Sequence, residues 1–184
     1  IISKGGLKPG EVLVLTKPLG GGVTTTALKQ AKAEETHIQE AIEWMSRLNK
    51  VAGQLAVEFG ARGGTDITGF GFLGHAAEMA EASGVSLQID FSVLPFLSGA
   101  RKYAEQGIFP GGAFDNKGHF EGSIDFGDLD EPSQMLLFDP QTSGGLLFGV
   151  DREKLSALKA RAQELNQPIW VVGEARQGKG IEVR

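Results

Sequence analysis

The residues best suited to chemistry lie in a glycine-rich stretch, residues 63–75, which reads GGTDITGFGFLGH. Its glycines surround a single carboxylate, Asp66. Glycine is needed where the backbone adopts positive φ or where another group approaches it closely, so a carboxylate among such residues has a defined position. Two interpretations follow. Asp66 or Thr68 caps the next helix by accepting from its free N–H groups, or Asp66 is an active-site ligand; the local pattern alone favours capping.

A second loop, residues 139–145, has the sequence Asp-Pro-Gln-Thr-Ser-Gly-Gly. Asp139 before a proline is typical of a turn in which the carboxylate accepts from nearby backbone N–H groups. Thr142, Ser143 and Gly144 offer hydroxyls and successive N–H groups, which is the composition of an anion-binding nest. Mg²⁺ takes one or two protein carboxylates and completes its shell with water and substrate phosphates. Together, the two loops indicate metal–phosphate chemistry.

Other polar groups have simpler interpretations. The triple glycine at 20–22 follows a strand but lacks the Lys-Ser/Thr of a P-loop, so a tight connection is favoured over a phosphate site. His75 has no second histidine or cysteine at ligand spacing and is predicted to be a hydrogen-bonded structural residue. Four acidic residues lack the spacing of a calcium loop and are predicted to form a solvated edge: Asp125, Asp128, Asp130 and Glu131.

Composition excludes several classes of function. Eighteen basic and 23 acidic residues give a net charge of −5 with no basic stripe, which excludes a nucleic-acid partner. The apolar runs are far shorter than the ~20 residues that span a membrane, and without cysteine there is no disulfide or thiol catalysis. The chain begins at Ile1 without methionine or a signal peptide, so we expect a piece of a longer protein.

The loops require a scaffold, and hydrophobic periodicity predicts its elements. Strands are expected at 11–17, 85–89, 146–150, 169–172 and 181–183. Helices are expected at 34–59 (one long amphipathic helix capped by Gly60), 73–82, 94–106, 132–138 and 152–165. Residues 109–130 are expected to form a hairpin or long surface loop. Because strands and helices mix without strict βαβ repetition, the sequence predicts an α+β layered domain with a mixed sheet.

Three stretches resemble selenophosphate synthetase, also called selenide, water dikinase: residues 15–20 (LTKPLG), 65–75 (TDITGFGFLGH) and 139–147 (DPQTSGGLL). They occur in the family's order and span most of the chain. The wider superfamily includes aminoimidazole ribonucleotide synthetase, thiamine monophosphate kinase and a hydrogenase maturation factor. Within it, the run from Asp139 to Gly145 points to the selenium enzyme.

The resemblance implies a layered α/β/α fold like the C-terminal domain of aminoimidazole ribonucleotide synthetase. It also implies a cytoplasmic homodimer that uses Mg²⁺ and converts selenide, ATP and water to selenophosphate, AMP and phosphate. Residues 1–184 would be a single C-terminal-type domain. The N-terminal ATP-binding domain, with most of the nucleotide site and the reactive lysine and cysteine or selenocysteine, would lie outside it, and the isolated chain would be inactive.

Matched to the family's motifs, Asp66 corresponds to the one aspartate of this half that binds Mg²⁺, and Thr65 is expected to orient its carboxylate. The 139–145 loop matches a family signature without a defined role. Its Thr142, Ser143 and Gly144 are candidate supporting or phosphate-facing residues. Gly21 departs from the family, which more often has threonine or another small residue there, so the resemblance does not imply a side-chain hydroxyl contact at this position.

Two alternatives remain open at this point. One is a non-catalytic packing and dimer-support domain, because the lysine, the redox residue and the other metal ligands of the family are absent from the sequence. The other is the same domain of a sibling ATP-dependent enzyme, of the thiamine monophosphate kinase or aminoimidazole ribonucleotide synthetase type.

Overall fold

The computed structural model describes residues 2–184, in which seven strands and eight α-helices alternate irregularly. The strands are β1 (Val12–Leu15), β2 (Gly64–Asp66), β3 (Ser86–Ile89), β4 (Ile124–Asp125), β5 (Leu146–Val150), β6 (Trp170–Arg176) and β7 (Ile181–Val183). The helices are α1 (Gly21–Lys29), α2 (Glu35–Ser46), α3 (Lys50–Glu58), α4 (Gly71–Ser83), α5 (Ala100–Glu105), α6 (Gly111–Phe120), α7 (Glu131–Leu136) and α8 (Leu155–Glu164).

The strands form one mixed sheet in the order β2-β5-β1-β6-β3-β7-β4. The β1–β5, β1–β6, β2–β5 and β3–β6 ladders are antiparallel, whereas β3–β7 and β4–β7 are parallel. Every ladder between these strands joins one of the first four strands to one of the last three. The α+β class with a mixed sheet, predicted from the sequence, is confirmed.

Helices cover both faces of the sheet, and β1 shows why. All four of its residues are buried, as expected for a strand covered on both sides. Leu13 and Leu15 pack in a core with α4, while Val12 and Val14 pack in a second core with α3 and α8. A third apolar cluster lies among α1, α2 and α5. These layers match the predicted α/β/α arrangement.

The single helix predicted for residues 34–59 is wrong. α2 ends at Ser46, Arg47 is extended (ψ 120°), and α3 begins at Lys50. The two helices bury their apolar sides in different cores, because α2 packs with α1 and α5 whereas α3 packs against β5 and α8. The apolar spacing continues through the break since it reports burial, not continuity of the backbone hydrogen bonds. Gly60 has positive φ (76°), as predicted.

Two further predictions need correction. The helix expected at 94–106 is confined to α5, because Phe96 forms a bridge with Leu19 before the helix begins. The loop or hairpin expected at 109–130 contains α6 and the edge strand β4. The glycines of α6 make it hard to recognise as a helix in the sequence. The helix is held in place by Asn116, whose amide donates to the carbonyls of Gly69 and Phe138 at 2.8 and 3.0 Å.

The remaining elements follow the sequence closely. α4, α7, α8 and strands β3, β5, β6 and β7 fall within the predicted ranges or a few residues beyond them. α1 was not predicted, since its first residues are the glycines interpreted as a tight connection. Among residues 2–184, no helix has both the length and the apolar character needed to cross a bilayer.

Candidate functional site

The two candidate loops lie against each other at one end of the sheet. Ile67 donates its N–H to the carbonyl of Gly145 at 2.8 Å, and Gln141 donates to the carbonyl of Thr68 at 3.0 Å. These bonds continue the β2–β5 ladder, in which Asp66 is paired with Leu146. The stretches 63–75 and 139–145, singled out separately in the sequence, therefore form one structural unit.

The contact between the loops explains two of their glycines. Gly71 has φ of 71°, and a Cβ there would lie 2.5 Å from the carbonyl carbon of Phe138. At Gly144 a Cβ would lie 2.1 Å from the carbonyl oxygen of Ile67. Any larger residue at either position would force the loops apart.

Asp66 is the last residue of the edge strand β2, and its side chain is exposed. Within residues 2–184, its carboxylate oxygens have no hydrogen-bond or ion-pair partner. The Thr65 hydroxyl donates to the main-chain carbonyl of Asp66 at 3.1 Å, so it holds the backbone and not the carboxylate. A cavity of about 310 Å³ with mostly apolar walls lies beside Asp66, between β2, β5 and α3.

The capping interpretation of Asp66 and Thr68 is wrong. The residue that precedes α4 is Phe70, and no side chain caps that helix. Thr68 instead accepts from the Gly71 N–H through its main-chain carbonyl at 3.1 Å. The Asp66 carboxylate is therefore not engaged in holding a helix end.

His75 is a structural residue, as predicted. Its Nε2 lies 3.1 Å from the Thr68 hydroxyl, and its Nδ1 lies 3.2 Å from a carboxylate oxygen of Glu78. Burial lowers the pKa of His75, which opposes the effect of the Glu78 carboxylate and favours the neutral ring. The ring thus joins the loop that follows Asp66 to the body of α4.

Asp139 is fully buried and fills the N-terminus of α1. One carboxylate oxygen accepts from the Gly22 N–H at 2.9 Å and from the Gln141 side-chain amide at 3.0 Å. Gln141 in turn accepts from the Gly21 N–H at 3.0 Å. The glycine-rich turn at 20–22 therefore binds a carboxyl group of the protein itself. Asp139 accepts a backbone N–H from Gly22, 117 positions away, and not from the nearby backbone as the local-turn interpretation predicted.

Burial dominates the electrostatics of Asp139. It raises the pKa of this carboxyl from 3.8 to about 7, although the hydrogen bonds from the backbone and Gln141 act in the opposite direction. The other carboxylate oxygen, Oδ1, has no hydrogen-bond partner among the described residues. Asp139 is inaccessible to a ligand, and its carboxyl group instead binds groups inside the protein, where α1 meets the 139–145 loop.

Thr142, Ser143 and Gly144 form the outer part of the loop. Thr142 and Ser143 are exposed, and Ser143 has φ of 54°, which is unusual for a residue with a side chain. The Lys17 ammonium donates to the Ser143 carbonyl at 2.7 Å, and the Asn49 amide donates to the Gly144 carbonyl at 2.8 Å. Lys17 comes from the first sequence motif, so all three motifs meet here.

The donor set limits what the site binds. Among residues 2–184, no group of three or more His, Cys, Asp or Glu side chains is arranged to hold a metal ion. The predicted acidic edge is consistent with this, since Asp130 caps α7 and Glu131 pairs with Lys117. Asp66 is thus one exposed carboxylate that fits Mg²⁺ only if phosphates, water or other protein groups complete the shell.

Sequence reasoning gave no role to Lys17, Asn49 or Gln141. Each one acts across 95 or more positions of the chain. The available signal was limited to the position of Lys17 at the end of a buried strand and of Gln141 inside the second loop. Asn49 lies in the break between α2 and α3, where a continuous helix was expected.

Comparisons with known proteins find similarity along the whole chain. Residues 8–184 match the family model described as AIR synthase related protein, C-terminal domain. Selenide, water dikinase from Caldanaerobacter subterraneus subsp. tengcongensis is 41% identical over 184 residues, which are 100% of this chain and 54% of that protein. Selenide, water dikinase 2 from Peptoclostridium acidaminophilum is 42% identical over 158 residues, 86% of this chain and 46% of that protein. The chain spans about half the length of these curated relatives.

Solved structures share the fold at lower identity. Thiamine-monophosphate kinase from Stenotrophomonas maltophilia K279a superimposes with a TM-score of 0.71 at 15% identity, over 99% of this chain and 52% of that one. A hydrogenase maturation protein, HypE, in complex with ATP gives a TM-score of 0.63 at 17% identity, over 96% and 45% of the two chains. At such identities the likeness shows the fold alone.

Proposed function

Because the chain belongs to the family of AIR synthase related protein C-terminal domains, we propose that it is the C-terminal part of an ATP-dependent selenide, water dikinase. The whole enzyme would convert selenide, ATP and water to selenophosphate, AMP and phosphate. The observation that carries the proposal is the 41% identity to a selenide, water dikinase along the full length of this chain. The resemblance of three separate motifs supports it, and in the fold these motifs meet at one place.

In this function Asp66 would be the contribution of this half to a magnesium site. Pairing of β2 with β5 and the Ile67–Gly145 hydrogen bond fix its main chain, while its carboxylate stays exposed and unpartnered within residues 2–184. A bound Mg²⁺ would neutralise charge on the transferring phosphates, in a reaction whose catalysis is largely positioning and electrostatics. Asp66 would supply one oxygen ligand, held on a strand and not on a mobile loop.

The remaining ligands would come from outside this chain. A single carboxylate cannot hold Mg–ATP by itself, and no second ligand cluster exists among residues 2–184. We propose that residues 1–184 form one C-terminal-type domain that works with an N-terminal ATP-binding domain, in a cytoplasmic homodimer. The HypE structure solved with ATP is consistent with nucleotide use by proteins of this fold.

The magnesium role is tested by Asp66→Asn in the full-length enzyme. Loss of one metal-ligand charge is expected to lower selenide-dependent AMP formation by roughly 100-fold, or about 2.7 kcal/mol in the activation barrier. The measurement is the initial rate of AMP release at saturating ATP across a Mg²⁺ titration, in which the variant needs more Mg²⁺ for half-maximal rate.

Asp128→Asn is the matched control, because Asp128 is also exposed but follows β4 at the opposite edge of the sheet. Its rate should equal that of the unsubstituted enzyme. Undiminished AMP formation by Asp66→Asn would refute the metal role.

A second candidate function is a non-catalytic packing and dimer-support domain. The specific observation in its favour is the lack of a metal-ligand cluster within the described residues. A sibling ATP-dependent enzyme remains a third candidate, through the fold shared with thiamine-monophosphate kinase. Selenide dependence of AMP formation in the full-length protein distinguishes a selenide, water dikinase from a sibling ATP-dependent enzyme. The rate of the Asp66→Asn variant distinguishes a catalytic contribution of this domain from a packing role.

A further inference from the structure

The Thr142–Gly144 turn has a set of polar groups with no partner inside the protein. Within residues 2–184, the main-chain N–H groups of these three residues find no acceptor, and the two hydroxyls find no partner. Thr142 and Ser143 are exposed, so their N–H groups and hydroxyls are available to a ligand, whereas Gly144 is buried. Successive free N–H groups around a residue with positive φ, here Ser143, are the arrangement of an anion-binding nest.

The shape of the turn is fixed from behind by two side chains. Lys17 at the end of β1 binds the Ser143 carbonyl, and Asn49 between α2 and α3 binds the Gly144 carbonyl. Both carbonyl oxygens are thereby held against the protein, which leaves the N–H groups, the two hydroxyls and the Thr142 carbonyl as the unused polar groups of the turn. A non-glycine residue with left-handed φ persists only where its surroundings enforce it, and such strain is concentrated at functional sites.

Positive charge accumulates behind the turn. Lys17 is 3% exposed and is the one lysine or arginine among the buried residues of the described chain. Neither Lys17 nor Arg47 has a carboxylate within 4 Å among residues 2–184; the Arg47 guanidinium donates to the Asn166 carbonyl and lies over the Trp44 ring. Burial, and next the charge of Arg47, lower the pKa of Lys17. Lys17 is thus a buried cation with no anionic partner among these residues, and a bound anion would relieve this.

From these observations we propose that the Thr142–Gly144 turn, with the buried Lys17 ammonium behind it, binds a phosphoryl oxyanion. The choice of phosphate over other oxyanions rests on the proposed function. The turn is adjacent to Asp66, because Ile67 is hydrogen-bonded to Gly145. An oxyanion at the turn and a cation at Asp66 would therefore lie on neighbouring segments. The phosphoryl group could belong to a nucleotide or to free phosphate, which share the same recognition chemistry.

The proposal is tested by titrating the ¹⁵N-labelled chain with sodium phosphate and, separately, with AMP. Both titrations are run at constant ionic strength with EDTA, so that binding at the turn is independent of any metal at Asp66. Saturable shifts are expected at the amides of Thr142, Ser143 and Gly144, with Kd on the order of millimolar. Shifts with both ligands identify the phosphate group itself, and shifts with AMP alone identify a nucleotide; either supports the site.

Lys17→Met should weaken binding by roughly tenfold, since a charge-assisted contribution of this size is lost. Lys179→Met is the matched control, because Lys179 is exposed in the turn between β6 and β7, remote from the loop. Its Kd should be unchanged. If Lys17→Met unfolds the chain, Arg47→Met provides a second test, because Arg47 is only half-buried at the end of α2. Loss of its charge should weaken phosphate binding severalfold.

Two results would overturn the proposal. One is the absence of saturable shifts at residues 142–144 with both ligands up to about 50 mM, well above a millimolar Kd. The other is unchanged affinity in folded Arg47→Met and, if it folds, Lys17→Met. Failure of the magnesium proposal has a separate signature, since Asp66→Asn would then retain enzyme activity while phosphate still binds the turn in EDTA.

Discussion

At the residue scale, the Asp139 side chain occupies a helix N-terminus, a position where other proteins bind an anionic ligand. Helix N-termini attract anions through their free N–H groups. At α1 that anion is the side chain of Asp139, which joins the helix to the second loop through Gly22 and Gln141. Because this carboxyl is fully buried with a pKa of about 7, its ionisation is linked to folding.

The linkage predicts a pH-dependent effect of Asp139→Asn. The folded state binds this proton more tightly than the unfolded chain, so the free energy of unfolding falls as pH rises from 3.8 towards about 7. Asparagine carries no such proton. Relative to that of the unsubstituted chain, the free energy of unfolding of the variant should therefore rise by about 3 kcal/mol between pH 5 and pH 8. Urea unfolding at the two pH values measures this difference.

Asp128→Asn is the control for this experiment, because it removes an exposed carboxylate that forms no hydrogen bond among the described residues. Its effect on the free energy of unfolding should be small and similar at both pH values. If Asp139→Asn shows the same stability difference from the unsubstituted chain at pH 5 and pH 8, the linkage is refuted.

The sequence identifies candidate site residues better than it predicts their hydrogen-bond partners. Asp66 and the 142–144 turn were identified as candidates from their types and neighbours. Lys17 was not, because its hydrogen bond to Ser143 spans 126 positions and exists only after β1 and the loop are brought together. A pattern within a short window contains no information about such a contact.

At the element scale, the glycines of the 63–75 stretch differ sharply in what they do. Gly71 begins α4 with positive φ and lies against the Phe138 main chain, whereas Gly69 has open space where a Cβ would be. Gly71→Ala should destabilise the chain by about 2–5 kcal/mol, from the left-handed backbone together with the overlap. Gly69→Ala should stay within about 0.5 kcal/mol of the unsubstituted chain.

The two glycine variants are compared by urea denaturation at one pH, and each serves as the reference for the other. Equal free energies of unfolding would show that the loops can separate at no cost, against the packing described for Gly71 and Phe138. A reduced free energy in Gly69→Ala would instead indicate a constraint on the exposed loop that the contacts do not show.

Elements were predictable where periodicity and burial coincide, as in β1, α4, β5 and α8. They were not predictable where a tertiary contact decides. α6 contains three glycines and only one buried apolar residue, Ala113, and it is held through Asn116. The break between α2 and α3 likewise arises because the two helices pack in different cores. Neither cause is visible as a local pattern.

At the scale of the whole molecule, the proposed division of the active site makes a prediction about nucleotide binding. This chain offers one metal-binding carboxylate and one candidate phosphate turn, so its Kd for Mg–ATP should be no tighter than about 1 mM. A full-length protein with the proposed N-terminal ATP-binding domain should bind in the micromolar range. Isothermal calorimetry on the two proteins measures both values, and micromolar binding by this chain alone would contradict the proposed dependence on the missing half.

The pairing pattern of the sheet has a consequence for biosynthesis. Since each of β1 to β4 pairs only with β5, β6 or β7 in the described chain, a nascent polypeptide that has reached residue 145 contains no two strands that are neighbours in the finished sheet. No ladder between these strands can close until β5 has been synthesised, and such long-range pairing is slow. Until then the Asp66 segment has no strand to pair with, so the proposed magnesium ligand is positioned only after residues 146–150 have been synthesised.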